Sequence, residues 1–111
     1  MINFTVLSEY MDNDVDKLIS VLSTYLENHG DGSERIARLN SEQNWPELHI
    51  LVRELKNELE SFGEDTAVVA LQGIENHARN NIEPDNKDIK IVSRELLTIN
   101  QQIFAYLDNQ A

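Results

Sequence analysis

The chain has 111 residues, 41% of them apolar, which suits one folded domain with a hydrophobic core and argues against intrinsic disorder. It has no cysteine, which excludes disulfides and thiolate metal sites. Twenty acidic residues against nine Lys and Arg give a formal net charge of −11, and a surface this acidic repels nucleic acids and anionic membranes.

The same sequence gives no sign of a membrane segment or a secretion signal. No apolar run approaches the ~20 residues of a spanning helix, and the opening MINFTVLSEY lacks a basic and an apolar region. We therefore expect a soluble cytoplasmic protein in which residues 1–111 form a single domain. Solubility is the simplest explanation of the acidic surface, although the charge would also favour a basic partner.

Helical periodicity predicts the elements in the first part of the chain, and no alternating pattern or hairpin signal predicts a strand. A short opening helix is followed by a longer one from about Asp14 to Asn28, which Gly30 ends. A third, shorter helix follows Ser33. The apolar residues that share one face of the second helix are Val15, Leu18, Ile19, Leu22 and Leu26.

The fourth predicted helix has the clearest start, stop and buried face. Asn44 is a suitable N-cap, Glu47 three residues later completes a capping-box pattern, and Pro46 falls in the first turn. Gly63 closes the helix. Its apolar stripe consists of Leu48, Leu51, Val52, Leu55, Leu59 and Phe62.

Two further helices complete the predicted fold. The fifth runs from about Asp65 to Asn80, and the sixth follows the loop NNIEPDN with apolar residues at alternating steps of three and four. The sequence thus predicts an all-α fold, an up-down four-helix bundle with short additional N-terminal helices. The residues expected to share one core are Leu48, Leu51, Leu55, Leu59, Leu71, Ile99 and Ile103.

The face of the fourth helix opposite its apolar stripe carries the candidate functional residues. A helix turns about 100° per residue, so Arg53 is expected to point into solvent. Spacing alone favours an ordinary solvated face, on which Lys56 and Glu60 form an i,i+4 pair. The residues of this face are His49, Ile50, Arg53, Lys56, Asn57 and Glu60.

The segment VRELKNELESFG, residues 52–63, resembles the signature helix of histidine phosphotransfer domains. The upstream segment VLSEYMDNDVDKLISVLSTYL is similar to the family's opening helices. In the downstream segment LQGIENHARNN, Ile74 and Glu75 correspond to a leucine-glutamate pair of the family. The positions that match the signature in register are Leu55, Lys56, Phe62 and Gly63.

This resemblance implies a module of a two-component phosphorelay, whose partner is a receiver domain or a histidine kinase. It also places Arg53 where the family has its phosphoacceptor histidine, and Asn57 where it has a glycine. A guanidinium stays protonated and has no lone pair to attack an aspartyl phosphate, so Arg53 cannot carry the phosphoryl group. We therefore expect a binding module that lacks phosphotransfer and is not an enzyme.

The resemblance is compatible with two different roles for Arg53. As a fixed positive charge on a docking surface, it would form bidentate contacts with the acidic pocket of a receiver domain. It would otherwise be a solubilising residue on a relic surface. The docking surface would comprise the six residues of the outer face, from His49 to Glu60.

Two alternative functions remain open. His49 is the rival phosphoacceptor on this helix, but it would have Val52 and Arg53 where the family has lysine and glycine. The second alternative is an unrelated helical interaction module that shares only the bundle periodicity.

No other chemistry is indicated by the sequence. The three histidines lie in three segments without metal-ligand spacing, and no phosphate-binding or nucleophile motif occurs, so we expect no metal and no cofactor. His29, near a helix C-terminus, has an expected structural role, and His77 is expected to be solvated. No carboxylate falls within an apolar stripe, so no buried acid–base pair is predicted.

Overall fold

A computed structural model describes residues 1–110, so Ala111 of the predicted domain lies outside the described residues. The described residues form helices and no strand, which confirms the predicted all-α class. None of these helices is long and apolar enough to cross a membrane. The helices are α1 (Phe4–Tyr10), α2 (Val15–His29), α3 (Gly32–Ser41), α4 (Trp45–Ser61), α5 (Thr66–Arg79) and α6 (Asn86–Asn109).

Polar side chains fix where most helices begin. The Asn44 side chain accepts a hydrogen bond from the backbone N–H of Glu47, which confirms the predicted N-cap of α4. Asp14 and Asp85 cap α2 and α6 in the same way. Helix α5 is different, because the carboxylate of Glu64 rather than Asp65 accepts from its first free N–H groups. The buried carboxylate of Glu64 therefore caps the N-terminus of α5.

The two glycines predicted to end helices act differently. Gly63 has φ +68°, and a Cβ there would lie 3.0 Å or less from the Cβ atoms of Val6 and Asn3. The end of α4 therefore requires glycine for both conformation and space. Helix α2 does end at Gly30, but this residue has φ −60° and its N–H still bonds the carbonyl of Leu26. Gly30 therefore ends α2 without the left-handed conformation that Gly63 has.

One cluster of buried side chains forms the core of the described chain. It contains all seven residues that the stripe spacing assigned to a common core, which confirms the helical phases of α4, α5 and α6. On α2 the prediction was partly wrong. Leu18 and Leu22 are buried as expected, but Val15 is half exposed and Tyr25 is fully buried instead. The buried face of α2 thus begins one turn later and extends towards its C-terminus.

The order in which the helices touch determines which faces stay free. Helix α4 packs along α5, and α5 packs along α6, while α3 contacts both α4 and α6. Gly32 marks this junction, because a Cβ there would be in ordinary van der Waals contact, 3.5 Å from methyl groups of Leu55 on α4 and Leu96 on α6. Helices α4 and α6 therefore face each other across the core, and their outer surfaces lie on opposite sides of the molecule.

Candidate functional site

Arg53 lies on the outer face of α4, where the helical phase places it. Its side chain is exposed, as is that of Asn57 one turn further along. Among residues 1–110 no carboxylate oxygen comes within the 4.0 Å of an ion pair with its guanidinium. Arg53 therefore presents an uncompensated positive charge to solvent on a chain whose net charge is −11.

Lys56 is held by α5 and does not pair with Glu60. Its Nζ lies 2.7 Å from Oε2 of Glu75 and 2.8 Å from Oε1 of Gln72, and its side chain is only 14% exposed. The predicted i,i+4 pair is therefore wrong. The reason is that a carboxylate largely withdrawn from water attracts the ammonium more strongly than the exposed Glu60 does.

The prediction that no buried acid–base pair exists is also wrong, because Glu75 and Lys56 form such a pair. Glu75 follows Ile74 on α5 and is only 5% exposed, because α4 covers this side of the helix. Its second oxygen, Oε1, lies 3.7 Å from Nε2 of His49. The side chain of His49 is 22% exposed, so the rival phosphoacceptor is half-buried beside a carboxylate. One buried carboxylate thus links two of the six predicted site residues.

The candidate surface continues onto α5, which the sequence analysis missed. Gln72 accepts a hydrogen bond from Lys56 through Oε1, and its Nε2 donates to Oδ1 of Asn76 at 2.9 Å. Val69 lies one turn before Gln72 and is 72% exposed. The sequence did carry a signal for this exposure, because Val69 is an apolar residue that lies off the buried apolar face of α5, which contains Ala70 and Leu71. The α4–α5 surface is defined here by Arg53, Lys56 and Asn57 on α4 and by Val69, Gln72 and Asn76 on α5.

Ile50 and Glu60 lie at the borders of this surface. Ile50 is 51% exposed and lines an open groove of about 680 Å³ between α3 and α4. Arg35, Arg38 and Glu54 also line this groove. Ile50 therefore faces α3, about 100° around α4 from His49, which faces Glu75 on α5. Glu60 is exposed in the last turn of α4.

His29 fastens the end of α2 to α4. Its Nε2 lies 3.1 Å from Oε2 of Glu58, and both groups are largely covered. Burial raises the pKa of Glu58 above its ordinary value, the charge of His29 opposes this shift, and Glu54 adds to it. The contact joins two helices, as expected for a histidine with a structural role.

Two further polar side chains, those of Tyr25 and His77, are buried or partly buried near the core. Burial, reinforced by Glu58 and Glu64, raises the pKa of the Tyr25 hydroxyl far above its ordinary value, so this group stays neutral. His77 is partly buried, and its Nδ1 lies 2.8 Å from the carbonyl oxygen of Gly73. The prediction that His77 is simply solvated was therefore wrong, because the ring folds back onto its own helix.

The described residues contain no group of three or more His, Asp or Glu side chains placed to hold a metal ion. Comparisons with models of known protein families, with curated proteins and with solved structures found no match. The features of this chain that bear on function are the residues of α4 and the geometry of the α4–α5 surface.

Proposed function

We propose that this chain is a histidine-phosphotransfer-like module that binds a receiver domain or a histidine kinase in the cytoplasm without accepting a phosphoryl group. Its helices would form the four-helix bundle of that family, with α1 as a short N-terminal addition. The observation that carries the proposal is the exposed, uncompensated guanidinium of Arg53 at the phosphoacceptor position of the signature helix.

A second observation supports the resemblance independently. Lys56 matches the lysine of the signature helix, and Glu75 matches the glutamate of the downstream pair. These two positions are 19 residues apart in sequence, yet their side chains meet at 2.7 Å. Matched positions that form one contact are more informative than the same residues matched separately along the chain.

On this proposal the two basic residues, Arg53 and Lys56, have different roles. Glu75 compensates Lys56, so that lysine supports the surface from within and contributes little free charge. Arg53 supplies the charge that an acidic receiver pocket would bind. Asn57 and Asn76 add hydrogen-bonding groups, and Val69 adds an apolar contact. Without an aromatic anchor, we expect affinities in the micromolar range.

Binding to a panel of receiver domains, measured by calorimetry, tests the docking role. Arg53→Glu is expected to weaken binding more than Arg53→Ala, because it reverses the local field as well as removing the contact. Lys17→Glu on α2 is the matched control, since it makes the same charge change on another helix. Equal affinities for Arg53→Glu and the unmodified protein would place the docking surface elsewhere.

Transfer through His49 is the second candidate function, favoured by the carboxylate of Glu75 beside its ring. Incubation with a radiolabelled phosphorylated receiver separates the two proposals. We expect no acid-labile label on the protein. Label that appears and is lost in His49→Ala would establish transfer through His49. Arg53→His combined with Asn57→Gly restores the family pattern and is the positive control for a correctly docked complex.

A further inference from the structure

A second outward-facing row of residues runs along α6. Its members recur at steps of three, four, three, four and three, and all are exposed. Two are large apolar side chains, Leu97 at 59% exposure and Phe104 at 56%. They are not needed for the core, because Leu96, Ile99 and Ile103 already fill the inner face of α6. The row, called the α6 stripe below, consists of Lys87, Lys90, Arg94, Leu97, Gln101 and Phe104.

The first half of the α6 stripe is basic and largely uncompensated. Among residues 1–110, Lys87 and Lys90 take part in no ion pair within 4.0 Å. Arg94 has one long contact, 3.9 Å from its Nε to Oε1 of the neighbouring Glu95. Three of the nine basic residues of an acidic chain therefore share one surface.

The acidic residues of the same segment are turned away from the α6 stripe. Asp85 caps the helix by accepting from the backbone N–H of Lys87. The carboxylate of Asp88 lies against Gly73 on α5. Glu95 is only 16% exposed. The segment thus separates its charges, with carboxylates directed at its own fold and ammonium and guanidinium groups directed at solvent.

The α6 stripe is distinct from the α4–α5 surface. Because α3 and α5 both lie between α4 and α6, the outer faces of α4 and α6 point in opposite directions. A partner on α6 would therefore leave Arg53 accessible. The inference below does not depend on the function proposed for Arg53.

We infer that the α6 stripe binds an acidic amphipathic helix of another protein. Steps of three and four match the spacing at which two helices interlock side chains. Leu97 and Phe104 lie two turns apart, so they would meet apolar residues two turns apart on the partner. Carboxylates at one end of the partner helix would complement Lys87, Lys90 and Arg94.

A second copy of this chain fits the α6 stripe less well. Parallel pairing would oppose like charges, and antiparallel pairing would set the basic half of each stripe against the apolar half of the other. Two chains of net charge −11 also repel each other. Charge complementarity therefore favours a separate acidic partner.

Two synthetic helical peptides with the same apolar face test this inference, one flanked by Glu and the other by Lys. The Glu peptide is expected to bind and to shift the NMR signals of Lys90, Leu97 and Phe104. Lys90→Glu combined with Arg94→Glu should weaken this binding roughly tenfold or more. The same double variant should gain affinity for the Lys peptide, which loss of folding could not produce.

The controls separate charge, apolar contact and fold. Lys17→Glu should leave binding of the Glu peptide unchanged, and Leu97→Ser with Phe104→Ser should abolish it while the circular dichroism spectrum is retained. The inference is overturned if the Glu peptide does not bind, if its footprint lies off α6, or if the charge reversal has no effect. It is also overturned if the protein dimerises through the stripe, or if anionic vesicles shift these signals and neither peptide does.

Discussion

At the scale of single residues, the contact between Lys56 and Glu75 differs from the exposed ion pairs in what the loss of one partner costs. Both side chains are largely withdrawn from water, and the contact is 2.7 Å long. Removing one partner would leave a buried charge uncompensated, whereas removing both would leave an apolar contact. The pair therefore has a stability role that is separable from docking.

We expect Lys56→Met to lower the free energy of unfolding by about 3 kcal/mol, because the Glu75 carboxylate would remain buried without its main partner. The double variant Lys56→Met with Glu75→Leu should recover most of that loss. Urea denaturation of the single and double variants measures both effects. A loss below about 0.5 kcal/mol in the single variant would show that the pair behaves as an exposed one.

A second residue-scale prediction concerns Glu58 and pH. Burial raises its pKa in the folded state above the ordinary value of 4.5, so folding favours the protonated form. Its contribution to stability is complete below pH 4.5 and is lost as the pH rises through the folded-state pKa. Glu58→Gln is permanently neutral and avoids this loss.

The stability of Glu58→Gln relative to the unmodified protein should therefore increase between pH 4.5 and pH 7, as measured by urea denaturation. Glu60→Gln is the matched control, since Glu60 lies on the same helix and is exposed. A relative stability that is flat or falls with pH would mean that attraction to His29 outweighs the cost of burial.

At the scale of helices, α4 provides its own comparison of a buried and an exposed face. Leu55 is fully buried, and Ile50 is about half exposed five residues earlier. We expect Leu55→Ala to cost about 2–5 kcal/mol and Ile50→Ala less than about 0.5 kcal/mol in urea denaturation. Comparable losses for the two variants would contradict the orientation of α4.

Features encoded within one helix were predictable from the sequence. The cap at Asn44, the stop at Gly63 and the solvent position of Arg53 follow from spacings of a few residues, and the structure confirms all three. The end of α2 was also placed correctly at Gly30. Local rules thus located the elements and the centre of the candidate site.

Features that need two helices were not predictable in this way. Lys56 was assigned to Glu60 because the i,i+4 rule considers a single helix, whereas its strongest partner is on α5. The burial of Glu75 has the same origin, because it depends on which side of α5 is covered by α4. Only the resemblance had singled out both positions, and it did so without predicting their contact.

At the scale of the whole molecule, the two outward-facing surfaces and the net charge act together. The α4–α5 surface and the α6 stripe lie on opposite sides, and each presents basic groups on a chain of net charge −11. Acidic groups elsewhere repel one another in the compact state. The excess of acid therefore destabilises the fold at low ionic strength.

We therefore expect salt to stabilise this protein. Raising NaCl from 0.01 to 0.15 M shortens the Debye length from about 30 to about 8 Å, which screens long-range repulsion more than the short Lys56–Glu75 contact. The midpoint of thermal unfolding should rise by a few degrees, since about 1 kcal/mol corresponds to roughly 4 °C in a small domain.

Glu9→Lys combined with Glu27→Lys reduces the net charge from −11 to −7 at exposed positions, and should raise the midpoint at low salt and diminish the salt effect. Lys87→Glu combined with Lys90→Glu makes the opposite change and should enlarge it. A midpoint that falls with salt would show that surface ion pairs, and not the excess of acid, dominate the electrostatic free energy.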